Sequence, residues 1–360
     1  MEADYVVAID DSGGIEPLVK WDGSLVLGDH PITIMAIAVL KRKRLEEFNA
    51  EWNGLRLEIQ SELGCDMLPP IHMRIMWGKS LKKAYRGALN PYYGSDFEQI
   101  KQWYTKALRI IYRFNRDKLG ISFWTMSGIR AIDAVRHTTY FESSKFLAEM
   151  KFLRNASQGR YKKMYAHYHK KITSPLLPML TDSMLYLNQL MIIKGRRTLE
   201  LLVDPFADSH GVDAVEVYEA INKLVGLSQI AKVERIANAD ELPVCQAADV
   251  IGYSVFRRTM IDKGYIASDP HMFDIFNRFP FKDATKTNLT FRLQGKRIRQ
   301  NSLSMTILYA LARQQIVEDN PEFADEHMIS VETFLERVQQ LQREDMGVSV
   351  LIDANVANNF

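Results

Sequence analysis

Three aspartates follow or adjoin short apolar segments, and their positions suggest a metal site. Asp10 follows the apolar run 5–9, Asp204 follows the apolar run 198–203, and Asp249 lies one turn into a periodic helical segment. Ligands of open α/β sheets gather beyond strand ends, so carboxylates on two neighbouring strands would meet at one edge of a sheet. Such a cluster repels itself unless it binds a cation, and hard oxygen ligands favour Mg²⁺ or Mn²⁺. Two ions held by shared carboxylates are the apparatus of phosphodiester hydrolysis.

Each aspartate also has a purely structural explanation. The sequence Asp-Asp-Ser-Gly-Gly at 10–14, which contains Asp11, has the composition of a simple turn. Asp249 could instead pair near the N-terminus of its helix, where negative charge is favoured. Against this, a helix that buries Ala247 and Val250 has little structural need for an acid between them.

Two basic segments favour a nucleic-acid partner, although the net charge of the chain is only +2. Residues 151–171 carry seven Lys or Arg and no acid, with tyrosines among them, and residues 286–300 form a predicted basic hairpin. Cations neutralise phosphates and aromatic rings stack on bases. The alternative is a solvated basic helix whose tyrosines pack on the core. The candidate nucleic-acid-binding residues are Arg160, Tyr161, Lys162, Lys163, Tyr165, Lys170, Lys171, Lys296, Arg297 and Arg299.

Hydrophobic periodicity predicts the elements that would position these groups. Apolar, partly β-branched runs predict strands, and apolar residues at helical spacing predict helices, so the mixture indicates an α/β fold whose last strands are parallel. The insertion at about 129–195 is predicted to be α-helical. The basic tetrad 41–44 is expected to begin a helix, with nucleic-acid binding as the alternative. Predicted strands are 5–9, 31–40, 119–126, 198–204 and 230–236, and predicted helices are 45–63, 96–115, 176–193, 212–224, 244–262, 302–317 and 330–344.

Composition places the chain among soluble globular proteins. It has 360 residues, 47% of them hydrophobic, and two cysteines, Cys65 and Cys245, without a CxxC pair. This usage predicts a reducing, cytoplasmic setting. We expect no secretion signal and no membrane partner, because no apolar run is long enough to span a bilayer. The oligomeric state is left open.

Four short motifs resemble, in order, those of a microbial and phage family catalogued as domain of unknown function 3800. Residues 9–14 resemble its strand-Asp-Glu-Ser-Gly-Asp opening, and 70–72 resemble its Glu-x-His element. Residues 202–204 resemble its central strand aspartate, and 246–249 its Gln-x-x-Asp helix. This chain has Asp11 in place of the family's glutamate, Gly14 in place of its second aspartate, and Pro70 in place of the Glu of Glu-x-His. Asp133, Glu142 and Asp182 are alternative sources of the missing charge.

The resemblance implies a ribonuclease-H-like fold and a metal-dependent nuclease site. The fold expected is therefore α/β, a ribonuclease-H-like mixed sheet in a domain at 1–265, with the helical basic insertion and a helical C-terminal extension, 266–360, packed on it. By carry-over, Asp10, Asp204 and Asp249 become ligands of Mg²⁺ or Mn²⁺. His72 becomes a proton-transfer group or a support for those ligands, and Asp11 is counted with the catalytic residues.

Three functions follow from these observations. The first is a nuclease that hydrolyses phosphodiester bonds with divalent metal ions, with RNA favoured over DNA. The second is a protein with the same fold but no catalytic activity, which binds nucleic acid or another partner. The third, ranked last, is an actin-like ATPase, whose sheet is similar and whose phosphate-binding turns residues 10–14 and 204–211 could imitate.

Overall fold

The computed structural model describes the chain in several stretches. These are residues 2–13, 32–73, 75–76, 84–85, 88–116, 122–129, 176–204, 213–236, 238–262 and 264–266, with short pieces at 275, 278, 282–283, 290–293 and 296–299. For the strand residues 122–129 and those beyond 281, it describes the backbone. The predicted helices at 302–317 and 330–344, and most of the basic insertion, lie outside the described residues.

The chain forms five long helices and ten strands within the described stretches. The helices are α1 (Leu45–Leu63), α2 (Phe97–Arg116), α3 (Leu176–Ile193), α4 (Ala214–Val225) and α5 (Pro243–Asp262). The strands are β1 (Tyr5–Gly13), β2 (Ile32–Lys41), β3 (Ala84–Tyr85), β4 (Ala88–Leu89), β5 (Ser122–Ile129), β6 (Leu199–Val203), β7 (Ile230–Arg235), β8 (Lys282–Asp283), β9 (Thr290–Leu293) and β10 (Lys296–Arg299).

Six of the strands form one mixed sheet in the order β7-β6-β1-β2-β5-β8. β2 runs antiparallel to both of its neighbours, β1 and β5. β6 is parallel to β1 and to β7, and the short edge strand β8 is parallel to β5. Separate two-stranded hairpins are formed by β3–β4 and by β9–β10. The predicted α/β class is confirmed, and the strands expected at 198–204 and 230–236 are parallel to each other.

β1 is longer than predicted, and this corrects the interpretation of residues 10–13 as a turn. Asp10 to Gly13 continue the strand, since they pair with residues 33–36 of β2 in an unbroken antiparallel register. The backbone hydrogen bonds of β2 therefore override the turn propensity of Asp, Ser and Gly. Only the parallel neighbour β6 ends near Asp10, because its last pair in the register joins Val203 to Ile9.

Small side chains bring α5 unusually close to the centre of the sheet. Ala8, Ala36 and Ala38 of the strands pack in one buried cluster with Ala247 and Ala248 of α5. A Cβ added to Gly252 would lie 3.1 Å from Ser12 Oγ and 3.2 Å from Ala36 Cβ. This close packing is what sets the position of the acid on α5.

Helices cover both faces of the sheet. The face that α5 covers is completed by α1 and α2, whose buried residues include Phe48, Trp52 and Trp103. On the other face, Ser183 of α3 places its hydroxyl 3.2 Å from the sulfur of Met35, and α3 also contacts α4. Because neighbouring strand residues point to opposite faces, residues 10 and 11 of β1 belong to different layers.

The ends of the helices follow the sequence. Asp213 caps α4 by accepting hydrogen bonds from Val215 N at 2.7 Å and Glu216 N at 3.2 Å. The tetrad 41–44 completes β2 and forms a short 3-10 turn before α1, as the helix-start prediction requires. Two of its arginines are paired, Arg42 with Glu200 and Arg44 with Glu47.

Candidate functional site

Asp10 and Asp204 lie side by side on neighbouring parallel strands. The backbone N–H of Asp204, one residue beyond the end of β6, donates a 3.2 Å hydrogen bond to the carbonyl of Ile9. The two aspartates are therefore the first residues after the last β1–β6 register pair. Both are partly buried.

Asp249 reaches this pair from the helix above it. It is only 8% exposed, and the helix around it is buried from Pro243 through Gly252. Its side chain is close enough to that of Asp10 for the two carboxyls to share a hydrogen bond when one is protonated, and its Oδ2 accepts a 3.3 Å hydrogen bond from the backbone N–H of Met73. The three predicted metal ligands, which are 194 and 45 residues apart in the chain, thus converge on one point.

The electrostatics of the cluster favour a proton on Asp10. Burial raises the pKa of Asp10 well above its ordinary value, and the charges of Asp249, Asp11 and Asp204 raise it further. Burial also raises the pKa of Asp249, but His72 and the N–H of Met73 oppose that rise. Both carboxyls therefore hold a proton more readily than an exposed aspartate does, and the causes that raise the pKa are stronger at Asp10 than at Asp249.

His72 is the fourth member of the cluster. Its Nδ1 lies 3.3 Å from Asp249 Oδ2, and its side chain is 25% exposed. The imidazole therefore contacts a buried carboxylate on one side and retains access to solvent. Its carbonyl accepts 2.9 Å hydrogen bonds from Ile75 and Met76, so the backbone turns sharply after His72.

Hydrogen bonds hold the segment before His72 at nearly every backbone position. Arg56, itself 6% exposed, donates from Nε to Pro69 O at 2.9 Å and from Nη2 to Leu68 O at 3.2 Å. The Tyr92 hydroxyl donates to Pro70 O at 2.8 Å. The two prolines have no N–H to satisfy, so their buried carbonyls are the groups that need donors.

Gln246 connects this segment to α5. Its Oε1 accepts hydrogen bonds from Ile71 N at 2.9 Å and from Trp52 Nε1 at 2.8 Å, and its Nε2 donates to the carbonyl of Asp240. It is 2% exposed. Gln246 lies one turn before Asp249 on α5, so one helix holds both the carboxylate and the backbone that carries His72. Its motif was visible in the sequence, whereas its partners in α1 and at residue 71 were not.

Asp11 lies on the opposite face of the sheet from Asp10. In the register it pairs with Met35, whose sulfur contacts Ser183 of α3, whereas Asp10 pairs with Ala36 of the α5 layer. Asp182, one of the alternative carboxylates, precedes Ser183 on that same helix and is partly buried. Strand alternation thus separates Asp11 from Asp249, although Asp11 still raises the pKa of Asp10 through its charge.

Three groups near the cluster were missed by the sequence argument. Asp240, in the 3-10 turn before α5, raises the pKa of Asp249 by its charge. Burial, together with the charges of Asp10 and Asp204, raises the pKa of the Cys245 thiol to about 12. The Tyr104 hydroxyl donates to Val250 O at 2.9 Å and lies 2.7 Å from Ser254 Oγ. An acid in a turn, or a thiol or phenol in the core, gives no sequence signal that distinguishes it from an ordinary structural residue.

The remaining predicted residues lie elsewhere. Arg160, Tyr161, Lys162, Lys163, Tyr165, Lys170 and Lys171 lie outside the described residues, as do Asp133 and Glu142. The strand β10 contains Lys296, Arg297 and Arg299. Its antiparallel pairing with β9 confirms the hairpin that the sequence predicts, with a turn at residues 294 and 295.

The donor set fits a hard divalent cation in charge and in ligand type. Asp249 lies within reach of Asp10 and His72, and Asp204 lies beside Asp10 on the neighbouring strand, so a cation bound here would offset several negative charges. Among the described residues, no three His, Cys, Asp or Glu side chains are already arranged around a metal position.

Comparison with protein-family models, curated proteins and solved structures gave no match to this chain. In the part of the chain that the structure describes, none of the helices is long and apolar enough to cross a membrane.

Proposed function

We propose that this chain is a divalent-metal-dependent nuclease with a ribonuclease-H-like fold, related to the domain-of-unknown-function 3800 family. The observation that carries the proposal is the meeting of Asp10, Asp204 and Asp249 at one end of the parallel pair β1–β6. Carboxylates whose burial and mutual repulsion raise their pKa are costly to a fold, and a cation held by all three would remove that cost.

The sheet supports the proposal. Counted along the chain, the five longer strands of the sheet have the order 3-2-1-4-5, with the second strand antiparallel to the other four. We take this arrangement, a mixed sheet with its second strand antiparallel, as support for the ribonuclease-H-like fold that the family resemblance implies. In such a sheet the first and fourth strands are central neighbours, and these are the strands that carry Asp10 and Asp204.

Each residue then has a role. Asp10, Asp204 and Asp249 would hold Mg²⁺ or Mn²⁺, which supplies a more acidic bound water and neutralises charge on the phosphate. His72, held 3.3 Å from Asp249 and open to solvent, orients that carboxylate and is placed to exchange a proton with water. Arg56, Tyr92 and Gln246 fix the backbone that carries His72.

The test is cleavage of labelled RNA and DNA by the purified full chain, with Mn²⁺ or with a chelator. We expect cleavage only with the metal, faster on RNA, and loss of at least about a hundredfold in Asp10→Asn and Asp204→Asn. Asp66→Asn is the matched control, because Asp66 is exposed and its charge is not among those that shift the pKa of Asp10 or Asp249. Equal activity in all three variants would refute the site.

A catalytically degenerate binding protein is the second candidate. It is favoured by the position of Asp11, which lies on the opposite face of β1 from Asp10 and so is not placed to join Asp10 and Asp249 as a ligand. Strong, salt-sensitive RNA binding without turnover, unchanged by Asp249→Asn, would support this candidate over the nuclease.

A further inference from the structure

The β9–β10 hairpin separates its arginines from its apolar residues. Residues directly opposite each other in an antiparallel ladder share a face, and alternate residues along a strand share that face too. By this rule one face has three arginines and a threonine, and the other has three apolar residues and a lysine. The first set is Arg292, Arg297, Arg299 and Thr290, and the second is Leu293, Phe291, Ile298 and Lys296.

The arginine face, defined as Arg292, Arg297 and Arg299, brings three positively charged residues to one side of the hairpin. The register places Arg292 directly opposite Arg297, and like charges in that position destabilise a hairpin. From residue 284 to residue 300 the sequence contains no Asp or Glu. An anion lying across the face would relieve this repulsion.

We propose that the arginine face binds the phosphate backbone of a nucleic acid. Arg297 and Arg299 are two residues apart on one strand, which separates them by about 6.8 Å, comparable to the spacing of successive phosphates in an extended strand. Guanidinium groups match phosphate oxygens in planar, two-pronged geometry. The choice of nucleic acid as the polyanion rests on the proposed function.

The register also revises the set of residues expected from the sequence. It adds Arg292, which was not among the candidates, and it places Lys296 on the apolar face with Leu293. Charge count alone treats Lys296 and Arg297 as equivalent, whereas the pairing distinguishes them. That difference allows a direct test.

The experiment measures binding of a short labelled single-stranded RNA to the full chain in EDTA, over about 50 to 200 mM salt. Arg292→Ala, Arg297→Ala and Arg299→Ala are each expected to lower the slope of log affinity against log salt by about 0.7. The triple variant should lose affinity on the order of a hundredfold at about 0.1 M salt, since three such slopes add.

Two comparison variants make the result specific. Arg109→Ala removes an arginine from the exposed face of α2 and should leave the slope unchanged. Lys296→Ala removes an equal charge from the other face of the hairpin and should change the slope by less than half as much as Arg297→Ala. Circular dichroism and Tm show that each variant is folded.

The proposal is overturned if Lys296→Ala and Arg297→Ala have the same effect, or if the triple variant binds RNA as the parent does. Binding to anionic phospholipid vesicles that depends on the three arginines, with no such dependence for RNA, would also overturn it. Because EDTA prevents metal-dependent cleavage, binding is measured separately from the nuclease. A chain that binds RNA through these arginines but never cleaves it with Mn²⁺ contradicts the nuclease and retains the arginine face.

Discussion

Replacing Gln246 with leucine tests whether α5 holds the His72 segment as the hydrogen bonds indicate. Leucine keeps most of the side-chain volume but cannot accept a hydrogen bond. Trp52 Nε1 and Ile71 N would lose their acceptor while both residues are fully buried. An unsatisfied buried donor costs about 1 to 3 kcal/mol, so we expect the free energy of unfolding to fall by about 2 to 6 kcal/mol.

Thermal unfolding measures the first part of this expectation. A loss of about 3 kcal/mol corresponds to a fall in Tm of about 6 to 12 °C for a domain of this size. Gln102→Leu, at an exposed position of α2, is the matched control and should change Tm by less than about 2 °C. In a Trp52→Phe background the cost of Gln246→Leu should shrink by about 1 kcal/mol, because one of its two donors has been removed.

Activity measures the second part. If Gln246 positions His72 and Asp249, the leucine variant should lose about ten- to a hundredfold in metal affinity or cleavage, measured well below its Tm. A variant that unfolds like the parent, or one that is destabilised while metal affinity and cleavage stay at the parent's level, would refute this reasoning.

Three further predictions concern the carboxylate cluster and the helix above it. Asp10→Asn should make the metal-free protein more stable at pH 7. Burial and nearby charges raise the pKa of the Asp10 carboxyl in the folded protein above its value in the unfolded chain, so the parent protein loses stability as the pH rises between these two values. Urea titrations should show that the stability difference between the variant and the parent vanishes near pH 4. Gly252→Ala should lower the free energy of unfolding by about 1 to 3 kcal/mol and reduce cleavage, because the Cβ of the alanine would lie 3.1 Å from Ser12 Oγ. A thiol reagent should modify Cys65 but not Cys245 in the native chain at pH 8, since Cys245 is buried and its pKa is raised to about 12.

Each of these has a contradicting result. An Asp10→Asn variant less stable than the parent in EDTA at pH 7 would mean that the cluster does not carry unfavourable charge. A Gly252→Ala variant with the stability and activity of the parent would mean that α5 does not need this close approach. Rapid modification of both thiols in the folded chain would place Cys245 at the surface.

The sequence was informative where local pattern and topology agree. Apolar runs that end at Asp10 and at Asp204 predicted two strands. The sequence reasoning assumed that these strands are neighbours, and the structure pairs them in parallel. The helix that carries Asp249 was predicted from its periodicity. These elements are strongly patterned over many residues, which is what local reasoning detects best.

The sequence was misleading where a distant strand decides the local structure. Residues 10–13 have turn composition, yet they form a strand because residues 33–36 supply their hydrogen bonds. That pairing fixes the alternation of β1 and so separates Asp11 from Asp10, although the two are adjacent in the chain. Similarly, the role of Gln246 depends on partners 175 and 194 residues away. No local signal records contacts at such separations.

The most direct test of the metal centre is a crystal soaked in Mn²⁺ and examined at a wavelength where manganese scatters anomalously. We expect an anomalous peak in contact with the carboxylates of Asp10, Asp204 and Asp249. The same soak of Asp10→Asn crystals should lose the peak. Ordered side chains with no peak among the three carboxylates, or a peak unchanged in Asp10→Asn, would contradict the proposed metal centre.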